Sequence, residues 1–230
     1  MTRQRAGDGP DVDHPLFARL YARVSVVADA RGGVGELRRE LLDGLSGRIV
    51  EVGAGNGLNF PHYPAAVSEV VAVEPERVLR RLAAEEALRS ATRVDVVPGT
   101  AEALPVGSGA FDGAVVSLVL CSVRDVRGAL AELLRVLRPG GELRFLEHGL
   151  ARGRVAAAVQ RGADATVWPR LFGGCHTARD PLAEIGAAGF EVVTHRWLRL
   201  PERGIALPSS PTVLGVARRP LRCRLRPGCP

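Results

Sequence analysis

Short apolar runs rich in valine alternate along this chain with stretches of helical periodicity. RIVEVG (48–53), EVVAVE (69–74), RVDVV (93–97), FDGAVVSLVL (111–120) and ELRFLEH (142–148) have the length and β-branched content of buried strands. Between them, residues 76–87 and 126–137 carry apolar side chains at helical spacing. Upstream, 15–30 and 34–45 have the same periodicity. Downstream, a helical run over 155–165 leads through WPRLFGGCH to a second helix over 180–188, stopped by Gly189. FEVVTHRWLRL and PTVLGVARR close the pattern as two final strands. Strands alternating with helices predict an α/β fold, a doubly wound sheet with helices on both faces. No repeat or linker interrupts it, so one domain is expected over 14–219, between a polar lead-in (1–13) and an arginine-rich tail (220–230).

Composition changes this picture only at the edges. No apolar run reaches the roughly 18–20 residues that a membrane span needs, and MTRQRAGDGPDVDH lacks the apolar core of a secretory signal. A cytoplasmic protein without an integral membrane segment is expected. The net charge of +6 invites a nucleic-acid partner. All 31 basic residues are arginines, however, and most are interleaved with Glu and Asp as on solvated helix faces. Only ARRPLRCRLRPGCP, with five arginines and no acid, is a cluster. No nucleic-acid partner is expected. Cys121, Cys175, Cys223 and Cys229 form no CxxC pair and have no zinc-finger spacing to histidine, so neither a metal nor a structural disulfide is expected.

Candidate chemistry begins where the first strand runs into GAGNG. Glycines in a strand-to-helix turn let backbone N–H groups approach a ligand that a Cβ would block. The spacing is GxGxG, not the GxGxxG of dinucleotide folds, which disfavours an NAD-dependent oxidoreductase. Glu74, ending the second strand, is placed to accept hydrogen bonds from both hydroxyls of a ribose. Loop and acid together point to an adenosine-containing ligand without specifying which.

Three later stretches narrow the choice: GTAEALP (99–105), FDGAVVSLVLCSV (111–123) and LLRVLRPGGELRF (133–145). With VEVGAGNG and VVAVEPE, in this order, they closely resemble the class I S-adenosylmethionine-dependent methyltransferases over residues 46–150. The resemblance implies a single Rossmann-like domain with a seven-stranded sheet of order 3-2-1-4-5-7-6, the last strand antiparallel. It implies S-adenosyl-L-methionine as cofactor. Glu51, Gly53, Gly55 and Gly57 would wrap the methionine moiety, and Glu74 with Pro75 would hold the ribose. Ala101 and Glu102 would flank the adenine, and Ser117 and Leu118 would line the cofactor near its sulfur. Asp112, where the family commonly has an acid, is read as structural.

HPLFARLYARVS, LNFPHYP, SLVLCSV, FLEH and QRGADATVWPRLFGGCHTARD are similar to a narrower group, the alkyl-thiol methyltransferases of animal endoplasmic reticulum and their bacterial relatives. This implies a small-molecule methyl acceptor, a thiol, with GGCHTARD on the acceptor side. The animal proteins begin with a hydrophobic anchor, and this chain begins with charged residues. A neutral thiol must lose its proton to attack well, which makes His176 and His148 candidate bases. Cys175 and Arg179 are candidates for contacting the acceptor. His176 is equally well read as a cap or packing residue. Asp180, directly before PLAEIGAAG, reads as an N-cap, and Cys121 as a buried apolar side chain. C- or O-methylation in quinone or natural-product biosynthesis is the nearest alternative, and a non-catalytic cofactor-binding module another. The acceptor and the oligomeric state stay open at this level.

Overall fold

The computed structural model of the chain describes residues 33–201 and 205–221, together with Ala18, Tyr21, Ala22, Ser25 and Val26. The lead-in and most of the arginine-rich tail lie outside the described residues, as do Cys223 and Cys229. The five described residues before position 33 are all helical, in agreement with the periodicity over 15–30.

Seven strands form one sheet in the order β3-β2-β1-β4-β5-β7-β6. They are β1 (Gly47–Val52), β2 (Val67–Val73), β3 (Val94–Val97), β4 (Phe111–Ser117), β5 (Leu137–His148), β6 (Glu191–Arg199) and β7 (Pro211–Arg218). The first five pair in parallel, and β7 runs antiparallel to both β5 and β6. The helices are α1 (Val34–Leu42), α2 (Arg77–Ala87), α3 (Val126–Val136), α4 (Arg154–Asp164), α5 (Trp168–Leu171) and α6 (Pro181–Ala187).

The central strands read as near-continuous apolar runs because both of their faces are covered. Val50, Val52, Val116 and Phe145 pack with Leu130 and Leu133 of α3 on one side. Ile49, Val70, Val115 and Leu146 pack with Leu41 and Leu42 of α1 on the other. Full burial of each such side chain contributes about 1.5–3 kcal/mol. By contrast, β6 is mostly exposed and forms the sheet's edge.

The strands end where their chemistry changes. The valine run suggested a fourth strand to residue 120, but β4 stops at Ser117 because Leu118 turns into left-handed backbone, φ 60. α3 starts at the Asp125 side chain, which accepts from Gly128 N at 3.0 Å. Asp180 caps α6 in the same way through Ala183 N at 3.1 Å. Asp112 accepts from Arg48 N at 2.8 Å and pairs with Arg138, joining the starts of β1, β4 and β5. The loops after β1, β2, β4 and β5 therefore gather at one edge, where strand order reverses between β1 and β4. In open α/β sheets that crevice is where ligands bind.

Candidate functional site

The loop after β1 is shaped for close approach. Gly53, Gly55 and Gly57 all have positive φ, at 70°, 57° and 83°. A Cβ on Gly53 would lie 2.5 Å from Val119 Cγ2, so the loop packs tightly under the segment that follows β4. Among the described residues, a Cβ on Gly55 would meet only the Tyr21 ring, at 3.6 Å. The cradle is thus closed at Gly53 and open at Gly55. Its shape fits the methionine end of the cofactor that the sequence implies.

Glu74 ends β2 with its carboxylate turned back to this loop. It accepts from Gly55 N at 2.8 Å and Glu76 N at 2.9 Å. Burial pushes its pKa up to about 7, against the pull of those two amides. Each oxygen keeps a lone pair, so the carboxylate can still accept further hydroxyls. Pro75 follows it, and Arg80 donates to the carbonyls of Glu74 and Pro75 at 3.0 Å each.

Glu51 and Glu102 are also engaged within the protein. Both Glu51 oxygens are taken within the protein, by Asn59 Nδ2 at 2.8 Å and the Tyr63 hydroxyl at 2.7 Å. Arg38 holds Asn59 in turn at 2.7 Å. Burial raises Glu51 to about 6. Its carboxylate braces the Asn59–Tyr63 segment that follows the glycine loop, each oxygen holding one partner as in Glu74. Ala101 is buried at the start of the segment after β3, but Glu102 accepts from Arg124 N at 3.1 Å and Asp125 N at 3.4 Å. One oxygen of that carboxylate ties two loops together.

The backbone beyond β4 is held by a residue that sequence reasoning missed. Glu147, fully buried near the end of β5, accepts from Val119 N at 2.8 Å, Leu120 N at 3.0 Å and Cys121 N at 3.4 Å. With the Leu118 N to Leu146 O bond of 2.7 Å, these contacts fix the left-handed turn at Leu118. Ser117 Oγ is buried there with no partner among the described residues, leaving an unsatisfied hydroxyl beside the turn. Burial raises Glu147 to about 7, although the three amides and Arg179 pull the other way. Tyr21 was missed as well. Burial raises its hydroxyl above the usual value, Arg38 opposes this, and Glu74, Cys121 and Glu147 add to it. The N-terminal segment thus places a phenol among the loops after β1, β2 and β4. The only early signal for Glu147 was an acid inside the otherwise apolar run FLEH.

GGCHTARD does dock on this edge. His176 N donates to Cys121 O at 2.7 Å, and the Arg179 guanidinium donates to Leu120 O. From α4, Asp164 accepts from Thr177 N and Ala178 N, each at 2.8 Å, and the buried Gln160 amide donates to Thr177 O at 2.9 Å. Arg179 is accordingly spent in part on the protein, clamping the β4 loop near Glu147. The His176 side chain is half-buried. His148 differs from His176 in its surroundings. Burial lowers it to about 4, against a backbone hydrogen bond at Ser209, and its Nδ1 has no partner among the described residues. An imidazole that holds a proton so poorly is a weak base for a thiol. Cys175 is buried and faces Cys121 across the docked backbone, with the stacked rings of Trp168 and Phe172 (centroids 4.1 Å apart) alongside it in sequence.

A glycine cradle after β1, an acid after β2 and a strand order of 3-2-1-4-5-7-6 define a class I methyltransferase architecture. Comparisons agree. A methyltransferase domain family matches residues 50–145. Thiol S-methyltransferase TMT1B of Mus musculus is 36% identical over 182 residues, covering 76% of this chain and 73% of that protein. The ubiquinone/menaquinone biosynthesis C-methyltransferase UbiE of Syntrophotalea carbinolica is 30% identical over 170 residues, covering 69% and 70%. Among solved structures, an S-adenosylmethionine-dependent methyltransferase of Thermotoga maritima, described as a possible histamine N-methyltransferase, superposes with a TM-score of 0.65 at 21% identity. It covers 89% of this chain and 98% of its own. The chain belongs to the class I S-adenosylmethionine-dependent methyltransferases, in the family that includes the TMT1 thiol S-methyltransferases. No helix among the described residues is long and apolar enough to cross a membrane.

Proposed function

We propose that this methyltransferase acts on a small-molecule thiol. The observation that carries the reading is the 36% identity to a thiol S-methyltransferase across 73% of that protein's length, more than the cofactor-binding core alone. The docked GGCHTARD segment supports it, because Cys175 and His176, with Trp168 of α5 against Cys175, supply a partly buried wall beside the turn after β4.

S-adenosylmethionine, when bound, supplies an electrophilic methyl group on a sulfonium. Everything else is the chain's own work. Gly53, Gly55 and Gly57 leave backbone room for the amino-acid end at the mouth of the crevice, their own N–H groups donating to Val73, Glu74 and Ala54. Glu74 accepts the ribose hydroxyls, Ala101 flanks the base, and Ser117 and Leu118 line the reacting end. Direct displacement needs no covalent enzyme intermediate, so alignment and exclusion of water carry the rate. His176 is the candidate that takes the acceptor's proton. Glu51, Glu102 and Arg179 act indirectly, by fixing the loops around this site. The absence of a coherent basic surface in the sequence, apart from the tail, favours a small molecule over nucleic acid. We place the protein in the cytoplasm, where the resting state of Cys121 and Cys175 is the free thiol.

Carbon methylation of a quinone precursor is the second reading, favoured by the UbiE relatives. Turnover of a panel of alkyl thiols, phenols, amines and hydroquinones with labelled donor separates the two. Preferred thiol turnover supports the proposal, and transfer to hydroquinone carbon alone overturns it.

A further inference from the structure

Two thiols that look unrelated in sequence meet at the acceptor wall. Cys121 lies in the turn that Glu147 holds after β4, and Cys175 follows the Gly173–Gly174 turn. The His176 N to Cys121 O bond of 2.7 Å joins their backbones directly. A bond of that kind brings the flanking Cα atoms within roughly the 4.4–6.8 Å that a disulfide spans. The two side chains interact with each other, and both are unoxidised and buried.

We propose that Cys121 and Cys175 are a hydroperoxide-sensitive redox pair whose reversible disulfide shuts the acceptor site. The inhibitory consequence rests on the acceptor-wall reading above; the modification site itself does not.

The pair is chemically asymmetric. The contact with Cys121 lowers the Cys175 pKa from the usual thiol value, and the Trp168 indole N–H, which has no conventional partner among the described residues, also favours the thiolate. Burial, Glu147 and Asp164 oppose this. The same thiol contact, with burial and Glu147, raises Cys121 well above its usual range. Cys175, the more accessible of the two at 7% exposure against 3% and the one beside the Trp168 indole, is therefore the attacking sulfur and Cys121 the resolving one.

The Cys175 thiolate attacks one oxygen of hydrogen peroxide, the O–O bond breaks, and the departing hydroxide takes up a proton to leave as water. The Cys121 sulfur then attacks the resulting sulfenic sulfur and displaces a second hydroxide, which leaves as water with the remaining thiol proton. Two thiols lose two electrons, and one peroxide gains them. A small thiol or dithiol reverses the bond by exchange.

Bonding contracts the sulfur contact to about 2.05 Å. That draws the GGCH turn onto the loop after β4 and narrows the space beside Ser117 and Leu118. A displacement of about 1 Å at a reacting centre costs up to roughly 100-fold in rate.

The test uses the full chain carrying Cys223→Ser and Cys229→Ser, so that Cys121 and Cys175 are the remaining cysteines. The reduced protein, loaded with S-adenosylmethionine, is treated with hydrogen peroxide, quenched and mapped by non-reducing peptide mass spectrometry. The expected result is a Cys121–Cys175 cross-link that dithiothreitol removes. Cofactor affinity stays unchanged, and methyl transfer to a thiol starts at least roughly tenfold below the reduced rate, then rises as the acceptor reduces the bond. With Cys121→Ser added, the treated protein shows no such lag relative to its own untreated rate. Absence of the cross-link, or a cross-linked protein that starts at the full reduced rate, overturns the proposal. A reduced protein that cross-links normally but transfers no methyl to any thiol instead sinks the acceptor reading.

Discussion

Glu147→Gln offers the sharpest test of how the site is held. The wild-type carboxylate is fully buried and satisfies three amides of the turn after β4, yet its pKa is pushed up to about 7 because burial outweighs those bonds. A carboxyl whose folded pKa lies above its unfolded value of about 4.5 stabilises the fold most at low pH. That contribution is lost as pH rises through 7. Between pH 5.5 and 8.5 the loss amounts to about 2 kcal/mol, from roughly 1.5 pH units at 1.36 kcal/mol each. Glutamine keeps one oxygen for Val119 and Leu120 and does not titrate. Urea unfolding of both proteins at the two pH values should therefore show the variant gaining about 2 kcal/mol on wild type at the higher pH. A stability difference that is the same at both pH values would show that Glu147 is not a desolvated clamp, and would refute the account of the turn.

Glu74→Ala should weaken S-adenosylmethionine by about 1.5–3 kcal/mol, the scale of hydrogen bonds to a charged group, and unchanged calorimetric affinity would remove Glu74 from the ribose. Because burial holds the free Glu74 at about 7 and ribose hydroxyls favour the carboxylate, wild-type affinity should be about tenfold weaker at pH 6 than at pH 8; a flat profile would contradict this. Gly53→Ala forces a φ of 70° on an L residue and sets a Cβ 2.5 Å from Val119 Cγ2, so thermal unfolding should show at least about 1–2 kcal/mol of lost stability together with weaker cofactor binding. His176→Ala should slow thiol methylation most below the acceptor's own pKa and recover as pH rises, whereas Cys175→Ser should be far milder in the reduced enzyme; a pH–rate profile of both reads the difference, and an unaffected His176→Ala would reduce that residue to packing. Truncation after Leu221 should leave the melting temperature and cofactor affinity unaltered, and a large fall would show that the arginine-rich tail packs.

The sheet was legible because its strands are buried on both faces. Valine runs such as EVVAVE have no other stable use in a chain with intervening amphipathic helices. The strand β4 was overextended because LVL continues the apolar run, while the turn at Leu118 is imposed from outside by Glu147 and Leu146. The four-residue helix Trp168–Leu171 was not expected, since WPRL is too short to show a period. The adjacency of the glycine loop and Glu74 was readable, because both sit at the ends of neighbouring strands. The Glu51 contacts with Asn59 and Tyr63 were not readable, because no spacing in VEVGAGNG specifies them. Glu147, Tyr21 and the Cys121–Cys175 pair act across long stretches of chain. No spacing rule links them, so only the folded structure could bring them together.

The central claim is the acceptor atom. It is tested most directly by incubating reduced protein with S-adenosylmethionine carrying a trideuteriomethyl group, in the presence of equal concentrations of an alkyl thiol and a hydroquinone. The products are then resolved by mass spectrometry. The account predicts that the label accumulates on sulfur, as the deuterated methyl thioether. Label recovered on hydroquinone carbon, with none on sulfur, would contradict it.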